Sequence, residues 1–274
     1  MDIYCPHCSK LIVFKKLFMC GSGTYECECG FKRPELNIKI TDVDFHPDKW
    51  LFTIKGNPYN YFLEKSFEFE FDCTFPPLGL YNLYNGLAAI ATYASFTSAP
   101  ENIEYIVNKV FKGLNNSILP PGRFEVLNYE NKVLGIGQGD NGNALKANTE
   151  FLESYILQDS RKRQDLNIEY IYTTPDENEE EIFEDHLSSL KSINPSKIYV
   201  LPGRNSVTMG KEYYELINKD FNAEFYPISY KNLDDRIKKV YELVNLSNAD
   251  YIIASGCGEE ILFWEKLKKN FIKT

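Results

Sequence analysis

Three shortages limit what this 274-residue chain can do. There are only three histidines, no apolar stretch approaching eighteen residues, and no Gly-x-x-x-x-Gly-Lys-Ser/Thr run. Without such a run the chain has no loop of backbone N–H groups to cradle nucleotide β- and γ-phosphates, and Mg²⁺ lacks its usual hydroxyl ligand. No stretch is long enough for a transmembrane helix. The histidines, His7, His46 and His186, are scattered, so no nucleophile–histidine couple is evident along the chain. Positive charge is also short: the formal net charge is −9, which argues against a nucleic-acid binder. No signal peptide opens the sequence, and we expect a cytoplasmic protein.

Cysteine is unevenly supplied. Five of the seven fall in the first thirty residues. Cys5-Pro6-His7-Cys8 puts two thiols on one turn, and Cys27-Glu28-Cys29 brings a second pair about twenty residues later. Two thiol-bearing turns facing each other supply the soft tetrahedral donors of a structural zinc site. The second pair is one residue shorter than the usual Cys-x-x-Cys. In an extended chain Cys27 and Cys29 would still point to the same side. We expect Zn²⁺ on Cys5, Cys8, Cys27 and Cys29, with Cys20 as the spare thiol and His7 as a bystander. Four thiolates leave no open position, so this metal would hold a fold together and do no chemistry. Thiols at metal spacing also suit a reducing compartment.

Behind this module, residues 1–36, the pattern reads as strand. Asn37–Asp44 and Trp50–Lys55 are two candidates. In a third, Phe67, Phe69 and Phe71 alternate with Glu68, Glu70 and Asp72, as expected of an antiparallel sheet wet on one face. A helix follows over about Leu80–Tyr93, where Gly86-Leu87-Ala88-Ala89 allows close approach. A second begins after Ser98, with Ile103, Ile106, Val107, Val110 and Phe111 on one face. The loop Leu119-Pro120-Pro121-Gly122-Arg123 is the expected domain boundary, giving a middle segment of 37–121 and a last segment of 122–274. In the last segment, short apolar runs alternate with amphipathic helical stretches: Lys132–Ile136, Ile168–Thr173, Lys197–Leu201, Glu224–Ile228 and Tyr251–Ala254. This predicts a Rossmann-like parallel α/β sheet. The fold class is therefore α/β: a zinc ribbon, antiparallel strands with two helices, then a parallel α/β domain.

Two glycine-rich turns could carry chemistry. Gly137-Gln138-Gly139-Asp140-Asn141-Gly142 fits a dinucleotide fingerprint between a strand and a helix. However, the next strand ends Tyr172-Thr173-Thr174 without a ribose-binding acid, and Asp176 comes late. A plain glycine-rich connection is the simpler account. Ser255-Gly256-Cys257-Gly258 could place a thiol of lowered pKa at a helix start; the simpler account is a tight turn at a sheet edge.

Cys5-Pro6-His7-Cys8, Tyr25 to Pro34, Leu80-Tyr81-Asn82-Leu83-Tyr84-Asn85-Gly86-Leu87-Ala88-Ala89 and Gly122-Arg123-Phe124-Glu125 occur in this order. Together they resemble MurT, the Mur-ligase-like subunit of lipid II isoglutaminyl synthase. The resemblance spans the chain in outline and is specific up to about Glu125. It implies that residues 37–121 are part of a Mur ligase central domain, with Asn82 and Asn85 near adenine and Arg123 on the nucleotide. It also implies ATP-dependent activation of a D-glutamate carboxylate of lipid II, with ammonia from a glutamine amidotransferase partner. Three family features are missing. The P-loop half is not in this sequence; the family Lys-Asn-Pro-x-Gly appears as Gln138-Gly139-Asp140-Asn141-Gly142; and the family Trp-x-Trp-Asp appears as Tyr170-Ile171-Tyr172-Thr173. Arg204 keeps a piece of a family Gly-x-Arg segment.

Three functions remain open at this point. The chain could be a ligase component completed by a separate P-loop chain, with ATP and Mg²⁺ bound only then, and inactive alone. It could be a non-catalytic zinc-binding scaffold or regulatory relative. It could be a dinucleotide-binding domain with a zinc cap. The helix at 80–93 is expected to leave apolar surface that another copy or a P-loop chain would cover.

Overall fold

The structure is a computed structural model that describes residues 3–17, 23–46, 49–76, 78–114, 121–156, 161, 165–176, 179–204, 207–257, 259 and 261–272. The spare thiol Cys20, Leu119 and Pro120 of the expected boundary loop, and Gly258 lie outside these residues. Contacts divide the chain into two units, Met1–Ile118 and Leu119–Thr274. Residues 1–36 fall in the same unit as those that follow them.

The first unit opens with a small antiparallel ribbon, β1 (Phe14–Leu17) with β2 (Gly23–Tyr25). Its sheet contains β3 (Ile38–Phe45), β4 (Trp50–Gly56) and β7 (Phe69–Phe75), antiparallel in that order. A short hairpin of β5 (Tyr59–Asn60) and β6 (Lys65–Ser66) interrupts the run. Period-two patterning sets which face is buried. Trp50, Phe52 and Ile54 of β4 lie opposite Phe75, Cys73 and Phe71 of β7, and all six are buried, while Glu70, Asp72 and Thr74 face water. Phe67 lies just before the strand.

Helix α1 (Leu80–Phe96) buries Leu83, Ile90 and Ala94. After one 3₁₀ turn at Pro100–Asn102, α2 (Ile103–Leu114) buries Ile103, Val107 and Phe111. The Phe111 ring meets Phe75 edge-on at 4.9 Å and lies 3.3 Å from where a Cβ on Gly86 would stand. The glycine in α1 thus makes room for an aromatic ring of α2. Val110, expected on the same face, is 55% exposed. The buried stripe follows the i, i+4, i+8 row 103–107–111, and Val110 falls just outside it. At the far end of α1, the fully buried Asn60 uses all its bonding capacity. Its amide donates to the Ala94 and Thr97 carbonyls at 2.7 and 2.9 Å, and its carbonyl accepts from Phe62 and Leu63 at 2.9 and 2.8 Å. The hairpin therefore caps carbonyls the helix leaves open.

The second unit is a six-stranded sheet in the order β12-β11-β10-β13-β9-β8. Its strands are β8 (Glu125–Tyr129), β9 (Lys132–Gln138), β10 (Ile168–Thr173), β11 (Lys197–Leu201), β12 (Ala223–Phe225) and β13 (Tyr251–Gly256). The last five are mutually parallel, as the alternating pattern predicts. β8 pairs antiparallel with β9 and was not expected. The run expected at Glu224–Ile228 pairs only over Ala223–Phe225. The helices are α3 (Gly142–Ile156), α4 (Glu180–Ile193), α5 (Val207–Ile217), α6 (Leu233–Leu246) and α7 (Ile261–Ile272). Every residue of β10 and β13 is buried, the mark of a sheet covered on both faces. Ile171, Ile252 and Ala254 pack with Val240 of α6 and with Trp264 and Leu267 of α7. Alternate residues turn the other way: Tyr172 meets His186 of α4, and Ser255 meets Asn148 of α3.

Candidate functional site

The first knuckle is a helical-type turn. The Ser9 amide donates to the Cys5 carbonyl at 2.8 Å, and Ser9 adopts a left-handed φ of 57°. The second differs from expectation. Cys27 and Cys29 do not sit on an extended segment; Gly30 N–H donates to the Cys27 carbonyl at 2.9 Å, closing a tight turn, with Gly30 at φ 88°. Curling the shorter Cys-x-Cys in this way turns its sulfurs toward the first knuckle. The Sγ atoms of Cys5, Cys8, Cys27 and Cys29 all lie within 4.8 Å of one another. Cys5 and Cys29 are 3.5 Å apart, and Cys8 and Cys27 are 3.4 Å apart. Thiolates at ~2.3 Å from a zinc ion would form a tetrahedron with edges of ~3.8 Å, so the donor set fits that ion with small adjustment.

The sulfurs also influence one another's protonation in opposite directions. Burial works against a Cys5 thiolate, but backbone groups of His7 and Cys8 and the sulfurs of Cys29 and Cys27 outweigh it, and Cys5 falls to about 7. Cys8 is pushed up to about 12: a backbone bond from Lys10 lowers it, and the sulfur of Cys27, burial and the remaining sulfurs raise it. Four sulfurs this close share protons or surround a cation. His7 stays outside the cluster, its ring 4.9 Å from that of Phe31. The Phe31 ring stacks on Tyr25, and Tyr25 meets Phe14 edge-on. Cys5, Ile12 and Cys27 form the small core beneath.

The residues that the resemblance assigns to a nucleotide are in different units. Asn82 and Asn85 lie on α1 of the first. Asn82 is half-buried and donates its amide to the Leu78 carbonyl at 2.6 Å, leaving its carbonyl oxygen; Asn85 is exposed. Two amides of this kind can meet a base edge but cannot hold phosphates. Arg123, in the second unit, is exposed two residues before β8, and its carbonyl accepts from buried Lys268 at 3.1 Å.

The glycine-rich loop 137–142 does not fit a pyrophosphate. A Cβ on Gly137 would strike the Phe124 backbone at 2.4 Å, and one on Gly142 would strike Asp185 at 2.1 Å. These glycines make room for the protein itself. A carboxylate side chain stands against the start of α3, where a phosphate would have to bind, and Gly139 N–H already donates to the Gly256 carbonyl at 2.8 Å. The dinucleotide reading thus loses its geometry. Asp176, weighed as a late ribose ligand, instead accepts from the Arg204 backbone at 2.8 Å and its guanidinium at 3.0 Å. Cys257 also departs from expectation. β13 is an interior strand, not an edge, and burial together with Glu179, Asp176 and Asp140 pushes this thiol well above its ordinary value. It is not an activated nucleophile.

No helix among the described residues is long and apolar enough to cross a membrane. No family model matches the chain. Subunit MurT of lipid II isoglutaminyl synthase (glutamine-hydrolyzing) from Streptococcus pneumoniae is 30% identical over 132 residues, covering 47% of this chain and 25% of that protein. MurT from Staphylococcus aureus is 30% identical over 86 residues, 31% of this chain and 16% of that protein. These matches therefore take in a quarter or less of the curated relatives' length. Among solved structures, a pseudomurein peptide ligase type C from Methanothermus fervidus superposes on all of this chain and 49% of its own, with a TM-score of 0.58 at 22% identity. Folylpolyglutamate synthase from Thermotoga maritima covers 86% of this chain and 46% of its own, with a TM-score of 0.51 at 16% identity. The chain thus shares its fold with these ligases, and over about half of its length its sequence is similar to MurT.

Proposed function

We propose that this chain contributes to amidation of the D-glutamate of lipid II in peptidoglycan synthesis, as a component of an ATP- and glutamine-dependent amide-forming ligase. The single observation that carries the proposal is the stretch of 132 residues shared with a MurT subunit at 30% identity. The four-sulfur cluster and the fold support it. On this reading Zn²⁺ bound by Cys5, Cys8, Cys27 and Cys29 stabilises the ribbon and takes no part in the reaction. Asn82 and Asn85 contact adenine, and Arg123 contacts the nucleotide. Phosphates and Mg²⁺ are held by a P-loop half, whichever polypeptide carries it, and the 274 residues by themselves are inactive. A glutamine amidotransferase subunit supplies ammonia. Transfer of the γ-phosphoryl group of ATP to the carboxylate, with release of ADP, would turn that oxygen into part of a phosphate leaving group, which ammonia expels by attack at the acyl carbon.

A second reading, a non-catalytic scaffold or regulatory relative, is favoured by one position. Thr173 stands where the resemblance places an Asp. It is buried at the end of β10, and its hydroxyl has no hydrogen-bond partner among the described residues. The two readings part in one experiment. The chain is combined with a P-loop half and an amidotransferase, and glutamine- and ATP-dependent amidation of lipid II is followed by mass spectrometry. Amidation that needs the chain and falls at least tenfold in Arg123→Ala, with zinc content unchanged, supports the ligase reading. Stable co-assembly without any amidation supports the scaffold.

A further inference from the structure

Helices α4 and α5 leave a groove of about 400 Å³ between them. Its floor is apolar. Phe183 and Tyr213 stack at 4.3 Å, and Leu187 and Leu216 flank them, Leu216 being 42% exposed. Its rim has a definite charge. Glu180 and Glu184 stand exposed one turn apart on α4, next to exposed Glu181 and Asp185. At the other end, Lys191 pairs with Asp220 at 2.8 Å, so that carboxylate is neutralised, and Lys219 stands beside it. The open carboxylates are therefore concentrated at the N-terminal half of α4.

We propose that this groove docks a cationic amphipathic helix of a partner protein. One or two of its apolar side chains would lie over Leu187 and Leu216, and a Lys or Arg would face Glu180 and Glu184. Charge complementarity selects this occupant. An anionic membrane or a nucleic acid would be repelled by Glu180 and Glu184; a second copy is an outcome that the test below distinguishes. A helix laid in a groove uses apolar anchors at i, i+3 and i+4, which the spacing of Phe183, Leu187 and Leu216 can receive. This inference does not depend on the amidation reading.

The test uses the full chain and two fluorescently labelled probes, a Leu/Lys amphipathic helical peptide and the same peptide with Glu in place of Lys. Anisotropy should show saturable one-to-one binding of the Lys peptide, weakened by salt, and none of the Glu peptide. Leu216→Asp and the pair Glu180→Lys/Glu184→Lys should each weaken binding at least tenfold. Glu101→Lys/Glu104→Lys in the first unit makes the same change in net charge and should leave binding within twofold. Leu216 and both glutamates are exposed, so these variants should fold, and circular dichroism checks that they do. Equal loss in the Glu101/Glu104 control would mean diffuse attraction to an acidic chain and would overturn the proposal. So would full binding by Leu216→Asp, or a groove already covered by a second copy at assay concentration.

Discussion

The two units solve the same problem with different means. The second has a wide sheet whose central strands, β10 and β13, are buried along their whole length between helices on both faces. It needs no cross-link. The ribbon that opens the first unit has a core of only Cys5, Ile12 and Cys27 with a few half-buried neighbours. So small an apolar cluster cannot offset the entropy of ordering some thirty residues. Four sulfurs within 4.8 Å stand where the second unit would place leucines. With the proposed zinc bound, cohesion is concentrated in one node in the first region and spread over many side chains in the second.

The largest effect should come from breaking that node. Removing the metal by chelation, or changing Cys5→Ser or Cys27→Ser, should unfold the ribbon. Structural zinc in small modules contributes about 10–16 kcal/mol of binding free energy, all of it coupled to folding. Metal analysis should give one zinc per chain for the parent and less than a tenth of that for Cys5→Ser. Hydrogen exchange should rise across residues 3–33 and stay unchanged in β10 and β13. Equal loss of protection in both regions would abolish the contrast drawn above.

The same contrast explains what could be read from the sequence. The gathering of Cys5, Cys8, Cys27 and Cys29 was legible because metal spacing is local and needs no knowledge of the fold. The parallel strands were legible because a buried strand is a short apolar run, as Ile168–Thr173 and Lys197–Leu201 are. β8 was missed because Glu125–Tyr129 is only half-buried and lacks a clean alternation. The turn at Cys27–Gly30 was misjudged because periodicity cannot distinguish an extended pair from a curled one, and only Gly30 at positive φ gave a sign of it. The docking groove left no motif, because its floor combines side chains of two helices, Leu187 and Tyr213 being more than twenty residues apart in sequence. The glycines at 137–142 carried a misleading signal. A Cβ is excluded there by Phe124 and Asp185, atoms that lie close only after folding.

Cohesion is also concentrated locally in the second unit. Arg236 of α6 and Glu259 form an ion pair with both side chains essentially without solvent, and the guanidinium also donates to the Ile228 carbonyl at 2.6 Å. Sequence reading could not pair residues so far apart. Changing Arg236→Met alone leaves a buried carboxylate without its cation and should cost about 3–5 kcal/mol; Arg236→Met with Glu259→Leu should recover most of it. Urea unfolding of the second unit measures both. A double variant as weak as the single one would show that the pair contributes through its packing and not through its charge.

The smallest effect is a dependence on pH confined to the second unit. His186 of α4 is completely buried and bonds Tyr172 through Nδ1 at 2.8 Å. Burial lowers its pKa to about 4, against backbone contacts at Asn141 and Gly139 that raise it. In the unfolded chain the imidazole titrates near its ordinary value, ~6.5. Between these values the unfolded state binds the additional proton, so stability rises with pH across the interval. The contribution of neutral His186 is fully present above ~6.5 and is lost as pH falls toward about 4. A shift of this size corresponds to roughly 3 kcal/mol. His186→Phe gives up the bond to Tyr172 but keeps a ring that cannot gain a proton. It should therefore be less stable than the parent at pH 7 and close to it, or better, at pH 4. Parallel stability curves for the two proteins would mean that the acid sensitivity lies elsewhere, and the ribbon's cysteines, whose protonation would release a bound metal, would be the first place to look.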